Sequence, residues 1–221
     1  MKNVINELLI VFYWWFILFS LGLIFFPFTQ VLFKKFRNKG YLFSKIIALA
    51  SLSWPIFLGA HLKWLPFTQT TILAVLASII VTITLIFKKK SYFNKKVIGL
   101  IASEEALFLA ALLFWSYIRS LKPDISGLEK FMDFGFTRSL INSRYLPPAD
   151  MWFAGETINY YYYGHFITAL LTKLSGLSLA VTYNLMIASL FALTFSQTFS
   201  LTANLTAKIT KKPNLLLALA S

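Results

Sequence analysis

The chain has no cysteine, which excludes disulfides and thiolate metal sites and, for a bilayer protein, says little about compartment. Histidine is nearly absent too: His61 and His165 are the only two, so a multi-histidine metal centre within this chain is excluded. A metal would be held mainly by carboxylates, which favours Mg²⁺, Mn²⁺ or Ca²⁺ over structural Zn²⁺. Charge is scarce as well. Only 13% of residues are charged, against 58% hydrophobic and 23 phenylalanines in 221 positions, far more apolar side chain than a soluble domain of that size buries. The composition is that of an all-α, polytopic integral membrane protein whose solvent is the lipid bilayer.

Acidic residues number 8 against 21 basic ones, a net charge of +13, and the positions of the basic residues say what the excess means. Lys34, Lys35, Arg37, Lys39 and Lys45 fall in 34–45, Lys88, Lys89, Lys90, Lys95 and Lys96 in 88–96, and Lys208, Lys211 and Lys212 in 208–212, with no acidic residue in any of the three stretches. Basic residues in short loops between apolar runs read as cytoplasmic flanks that also favour anionic headgroups. Topology accounts for this pattern, and nucleic acid is not expected as a partner.

Four apolar runs precede the longest polar segment. Leu8–Phe28 is long enough for a hydrocarbon core of roughly 30 Å, is closed by Pro27, and lacks the small-residue cleavage site of a signal peptide. Tyr41–His61 returns, with a kink expected at Trp54–Pro55. His61 at its end reads as an interfacial histidine or as a ligand. Gln69–Phe87 leads to the 88–96 stretch, and Val97–Leu121 is the fourth span. Glu104 lies seven residues past Val97, roughly 10 Å into that helix, with Glu105 beside it. Carboxylates at such depth are costly and mark a function, unless the helix starts later and leaves both among the headgroups.

The segment Lys122–His165 carries Asp124, Glu129, Asp133, Asp150 and Glu156, five of the eight acidic residues. From Arg119 to Glu156 five basic residues balance these five, so the loop is neutral and is expected outside, together with the N-terminus. Ser126 is expected to cap a helix with Glu129 completing a capping box. Glu129 and Asp133, i and i+4, share a face of that helix. Leu128, Phe131, Met132, Leu140 and Ile141 supply apolar cover, and Pro147–Pro148 end it. The same acids equally suit a cap and a solvated pairing of Asp133 with Lys130 or Arg138. Tyr160–Leu174, opening on four tyrosines that would circle one helix turn, is expected to lie along the outer interface. The tyrosines form an aromatic belt or, with Asn159 and His165, line a polar pocket. Val181–Leu201 is then the fifth span and returns Lys208, Lys211 and Lys212 to the side of the other basic stretches. The run PNLLLALAS begins a further span, so the chain reads as the N-terminal part of a longer protein. Its expected divisions are 1–121, four membrane helices; 122–176, the outer loop with two interfacial helices; and 177–221, the fifth helix and the start of a sixth.

The strings EKFMDFGF and PPADMWFAGETINYYYYGHF resemble the signature of the YYY-domain family of polytopic membrane proteins, named for its tyrosine run. The loop is also similar to the first outer loop of GT-C-type glycosyltransferases, which move sugars from polyprenyl-phosphate carriers at the outer membrane face. An acidic residue after a span, a proline-containing connector, an interfacial helix and another span recur here as Asp133, Pro147–Pro148, Tyr160–Leu174 and Val181–Leu201. This loop follows the fourth span, whereas the GT-C loop usually follows the first. The resemblance implies a transferase using a polyprenyl-phosphate-linked sugar donor, with Asp133 as general base. Glu129, or Asp150 and Glu156, would orient it or hold a divalent cation, Mg²⁺ or Mn²⁺. Arg138 and Arg144 would bind the donor phosphate, and Asn159, Tyr162 and His165 would line the pocket. Two rivals remain open: a transporter or flippase working through Glu104 or Glu105, and a non-catalytic membrane assembly subunit.

Single cysteines placed at Asp150 and Ser175 test the expected topology, since the chain has no other thiol. Both should react with a membrane-impermeant thiol reagent in intact cells. Labelling of Ser175→Cys only after lysis would mean that the tyrosine segment crosses the membrane.

Overall fold

The computed structural model describes residues 2–87, 95–127 and 129–210 together with 217 and 219, with the backbone alone for 2–4, 95–96 and 210. Residues 88–94, Leu128, Lys211, Lys212 and most of the 213–221 run lie outside the described residues. The chain is all-helical: α1 Lys2–Leu32, α2 Tyr41–His61, α3 Gln69–Phe87, α4 Lys95–Leu121, α5 Lys130–Asn142, α6 Tyr163–Ser175 and α7 Leu179–Thr210. Among the described residues there is no strand, only an isolated antiparallel bridge between Ala149 and Thr157. Five helices are long and apolar enough to cross a membrane, over Ile5–Leu32, Tyr41–His61, Gln69–Phe87, Val97–Leu121 and Leu179–Ile209. The other two, α5 and α6, have 13 residues each, about 20 Å of rise, too short for a crossing of roughly 30 Å.

Two compact units divide the described chain, one from 1–48, 83–120 and 187–221, the other from 49–82 and 121–186. In the first, α1 runs through Pro27 to Leu32, so proline does not close the first span. Its ring removes one backbone bond, a loss that membrane helices tolerate in packed surroundings. Trp14, fully buried, donates its indole N–H to Ser189 Oγ at 2.8 Å and ties α1 to α7. Trp115 on α4 stacks on Phe191 of α7 with centroids 4.3 Å apart. The connector from 33 to 40 turns at Gly40, whose φ of +75° is the left-handed conformation glycine takes without strain. The connector is tied down by amides: Asn38 Nδ2 donates to Ser200 Oγ at 2.7 Å, and Asn204 Oδ1 accepts the Arg37 backbone N–H at 2.7 Å.

In the second unit α5 packs on α6. Two loop segments are stitched together by backbone groups, Phe67 N–H to Arg144 O at 2.7 Å and Leu146 N–H to Ala60 O at 3.2 Å. Lys63 adds a bond to Leu146 O at 2.6 Å, and Lys173 one to Phe67 O at 2.5 Å. Burial lowers the Lys173 ammonium below its usual pKa. Helix α6 buries Phe166, Ala169, Leu170 and Leu171. It ends at Gly176, whose left-handed backbone turns its N–H onto Thr172 O at 3.0 Å. This unit carries every loop residue singled out above.

Two expectations about helix starts fail here. Ser126 caps nothing: its N–H and hydroxyl both donate to Asp124 Oδ1, at 3.1 and 2.6 Å, and hold that carboxyl below its usual pKa. Glu129 sits at the N-cap of α5 without a side-chain capping bond, so the capping box is not formed. The tyrosine run does not circle a helix turn either. Only Tyr163 is helical, because α6 starts there.

Candidate functional site

In the second unit two residues 32 positions apart meet: His165 Nε2 lies 3.0 Å from Asp133 Oδ1. A carboxylate accepts, so the imidazole donates through Nε2. Asp133 therefore pairs with neither Lys130 nor Arg138. Their positions follow from the two short helices, since Asp133 is in the first turn of α5 and His165 in the first turn of α6. The pair is accessible, with side chains 36% exposed for Asp133 and 19% for His165. His165 Nδ1 is buried and has no hydrogen-bond partner, an unsatisfied lone pair of the kind that a packed structure seldom leaves.

Aromatic rings surround this dyad. Phe136, buried, lies edge-on to His165 at 5.6 Å and contacts Tyr160 at 5.7 Å and Trp152 at 6.2 Å. Tyr160 stacks on Tyr161 with centroids 4.1 Å apart, and both are exposed, as are Trp152 and Phe131. The Tyr160 phenol is pushed up in pKa first by its hydrogen bond to Tyr161, and further by the negative charges of Glu129 and Asp133. Acid, imidazole and stacked rings thus form one neighbourhood.

Tyr162 and Tyr163 face the other way. Tyr162 OH lies 2.8 Å from His61 Nε2, and His61 Nδ1 is 2.9 Å from the Phe57 carbonyl. The carbonyl can only accept, so His61 carries its proton on Nδ1 and accepts the phenol at Nε2. Burial pushes the Tyr162 phenol up to about 12, which keeps it a donor. Tyr163 OH shares a hydrogen bond with Ser53 Oγ at 2.7 Å. These two tyrosines and His61 are structural contacts, and Tyr162 belongs to a different cluster from the dyad.

Other expected site residues stand apart. Arg138, Arg144 and Asn159 are exposed, and none makes a hydrogen bond or ion pair with Asp133 or His165. Asp150 accepts the N–H groups of Trp152 and Phe153 on Oδ1, at 2.7 and 3.1 Å, and its own N–H donates to Glu156 O at 2.9 Å. That is turn chemistry. The Glu156 side chain is exposed. Among the described residues no three carboxylate or imidazole groups converge as metal ligands.

The first unit holds a cluster of a different kind. Glu105, 5% exposed, accepts the Trp15 indole N–H on Oε1 at 2.7 Å. Its Oε2 accepts both the Tyr41 hydroxyl and the Lys45 ammonium, each at 2.5 Å. Lys45 is fully buried, with its ammonium 4.6 and 4.7 Å from the centres of the Tyr41 and Phe108 rings. Counting Lys45 among loop charges was therefore incorrect. It lies one turn inside α2, and Gly22 of α1 leaves the room, since a Cβ there would meet Lys45 Cγ at 3.0 Å. The signal was in the sequence: a lone lysine inside an apolar run needs an acid, and Glu104 and Glu105 are acids deep within another apolar run.

The sequence model of an uncharacterised membrane protein family, DUF2298, matches residues 51–221, most of the chain, and the chain belongs to that family. No curated protein and no solved structure matches it.

Removing one partner of the buried pair should be severe and removing both should be mild. Lys45→Met alone is expected to cost about 3–5 kcal/mol, and Lys45→Met with Glu105→Leu much less, read as thermal unfolding of the detergent-solubilised chain. Additive losses in the double variant would contradict a coupled pair.

Proposed function

We propose that this DUF2298 membrane protein is a GT-C-like transferase that moves a sugar from a polyprenyl-phosphate-linked donor to an acceptor hydroxyl at the outer membrane face. One observation carries the reading: the single carboxylate expected to act as base is the one that a histidine holds, in an accessible spot lined by exposed rings. In the reaction Asp133 takes the proton of the acceptor hydroxyl as its oxygen bonds to the anomeric carbon. The bond from that carbon to the phosphate oxygen breaks, and its electron pair leaves with the lipid phosphate. His165, donating to Oδ1, fixes the carboxylate and leaves Oδ2 for the proton. Phe131, Trp152, Tyr160 and Tyr161 offer apolar faces on which a sugar ring can rest. Arg138, on the same short helix as Asp133, and Arg144 are the candidates for the donor phosphate, and Asn159 is a candidate for the pocket. Glu129 adds negative charge beside the base.

This reading places the N-terminus and the 122–176 segment outside, with 34–45, 88–96 and 208–212 in the cytoplasm of a cell-membrane protein. The neutrality of the long loop and the clustering of the lysines support that orientation.

The full chain reconstituted in liposomes with radiolabelled polyprenyl-phosphate sugars tests the proposal. Asp133→Asn should lower sugar release by about 10²–10⁴-fold with normal insertion, and His165→Gln by less. Wild-type turnover in Asp133→Asn would refute the transferase. Loss of function in Glu104→Gln alone, with normal insertion, would favour transport.

A further inference from the structure

A cavity of about 270 Å³ lies within the first unit, lined by Arg37 and Asn38 of the connector, Leu100, Glu104 and Leu107 of α4, and Phe199 of α7, among others. Its size is close to the lower end of small-molecule pockets, roughly 300–1,000 Å³. Its lining combines polar side chains, Ser103 and Asn204 beside Arg37, Asn38 and Glu104, with apolar ones. Glu104 brings a carboxyl group whose Oε2 is buried and has no hydrogen-bond partner. Asn38 is the hydrogen-bonding neighbour of that carboxyl group, but the amide is already engaged with Ser200, Asn204 and the Gly40 N–H. Arg37 is exposed at the same cavity. It forms no ion pair with Glu104. The adjacent Glu105 is fully engaged by Lys45, Tyr41 and Trp15 and does not line this space.

An anion lacking one partner and a cation held apart from it, in a partly apolar slot, suit a ligand that carries both charges in the opposite order. We propose that the cavity is a binding site for an aminophospholipid headgroup, with the primary ammonium on Glu104, the phosphate on Arg37 and the start of an acyl chain against Leu100, Leu107 and Phe199. The ammonium supplies the hydrogen bond that Oε2 lacks, and a charge-assisted bond of this kind is among the stronger ones available. Guanidinium binds phosphate through paired donors. A single free carboxylate oxygen does not make a cation cage, whereas it suffices for one ammonium. Glu104 is seven residues past Val97, where the apolar part of α4 begins, or about 10 Å along the helix, and the connector carrying Arg37 flanks the spans. The apolar side chains of the lining select a lipid over its free headgroup. The site is independent of the transferase reading and belongs to a different unit from Asp133.

Native mass spectrometry of the full chain, released from nanodiscs of mixed phosphatidylethanolamine, phosphatidylcholine and phosphatidylglycerol, tests the assignment. Phosphatidylethanolamine should be retained at least about tenfold over phosphatidylcholine, whose trimethylated nitrogen donates no hydrogen bond. Glu104→Gln should abolish that preference, and Arg37→Gln should weaken retention of all three lipids. Equal retention of phosphatidylethanolamine and phosphatidylcholine, or an undiminished preference in Glu104→Gln, would overturn the site. Leu107→Trp, which fills the slot and leaves the charges alone, decides the matter if Glu104→Gln does not insert: loss of the preference supports the site and its persistence overturns it. Competition by water-soluble glycerophosphoethanolamine at equal concentration would overturn the lipid as the source of the headgroup.

Discussion

Glu105 imposes the constraint that the first unit has to meet. A carboxylate removed from water costs several kcal/mol unless its lone pairs are taken up, and this one is answered by three donors from two other helices. Trp15 of α1 reaches Oε1, and Tyr41 and Lys45 of α2 converge on Oε2. The ammonium is compensated in turn by the carboxylate and by two ring faces. Every group in the cluster is satisfied by another member. That closure fixes the rotation of α1, α2 and α4 relative to one another, because turning any of them strands a charge in an apolar surrounding. Apolar packing between membrane helices is less discriminating, since lipid tails are as apolar as the side chains they would replace.

The polar groups of the long loop follow the opposite logic. Asp133 is accessible and answered on one oxygen only, and His165 has an imidazole nitrogen with no partner. A closed cluster stabilises, whereas a partly open one leaves hydrogen-bonding capacity unused. The same contrast separates the two neighbouring glutamates of α4, since Glu105 is closed and Glu104 keeps one oxygen free. These acids therefore differ in how completely each is satisfied as well as in burial.

Much of this was legible in the sequence, and the failures share a cause. Span number and approximate bounds follow from length and apolarity, which the bilayer enforces over some twenty residues at a time. Asp133 stood out as an acid just past a span. Its partner His165 was visible as a residue and invisible as a contact, because 32 positions separate them and two short helices have to pack before they meet. Lys45 was counted with loop lysines because positive-inside reasoning weighs charges by neighbourhood, whereas a charge one turn inside a helix is governed by whether an acid can reach it. Ser126 matched a capping pattern, but Asp124 two residues earlier offered its hydroxyl and amide a closer acceptor. Pro27 lies in a helix that runs on to Leu32. Local rules fail at these points because a long-range or a nearer competing contact satisfies the same group.

The Asp133–His165 hydrogen bond is the centre of the functional account, and the scarcity of histidine makes it directly observable. With selective ¹⁵N-histidine labelling, the two side chains give two sets of ring signals in NMR of the full chain in nanodiscs. At a pH where the rings are neutral, the account predicts opposite tautomers, His61 protonated on Nδ1 and His165 on Nε2, and a change in the His165 signals alone in Asp133→Asn. A His165 ring protonated on Nδ1, or one whose signals are unmoved by Asp133→Asn, would contradict the dyad.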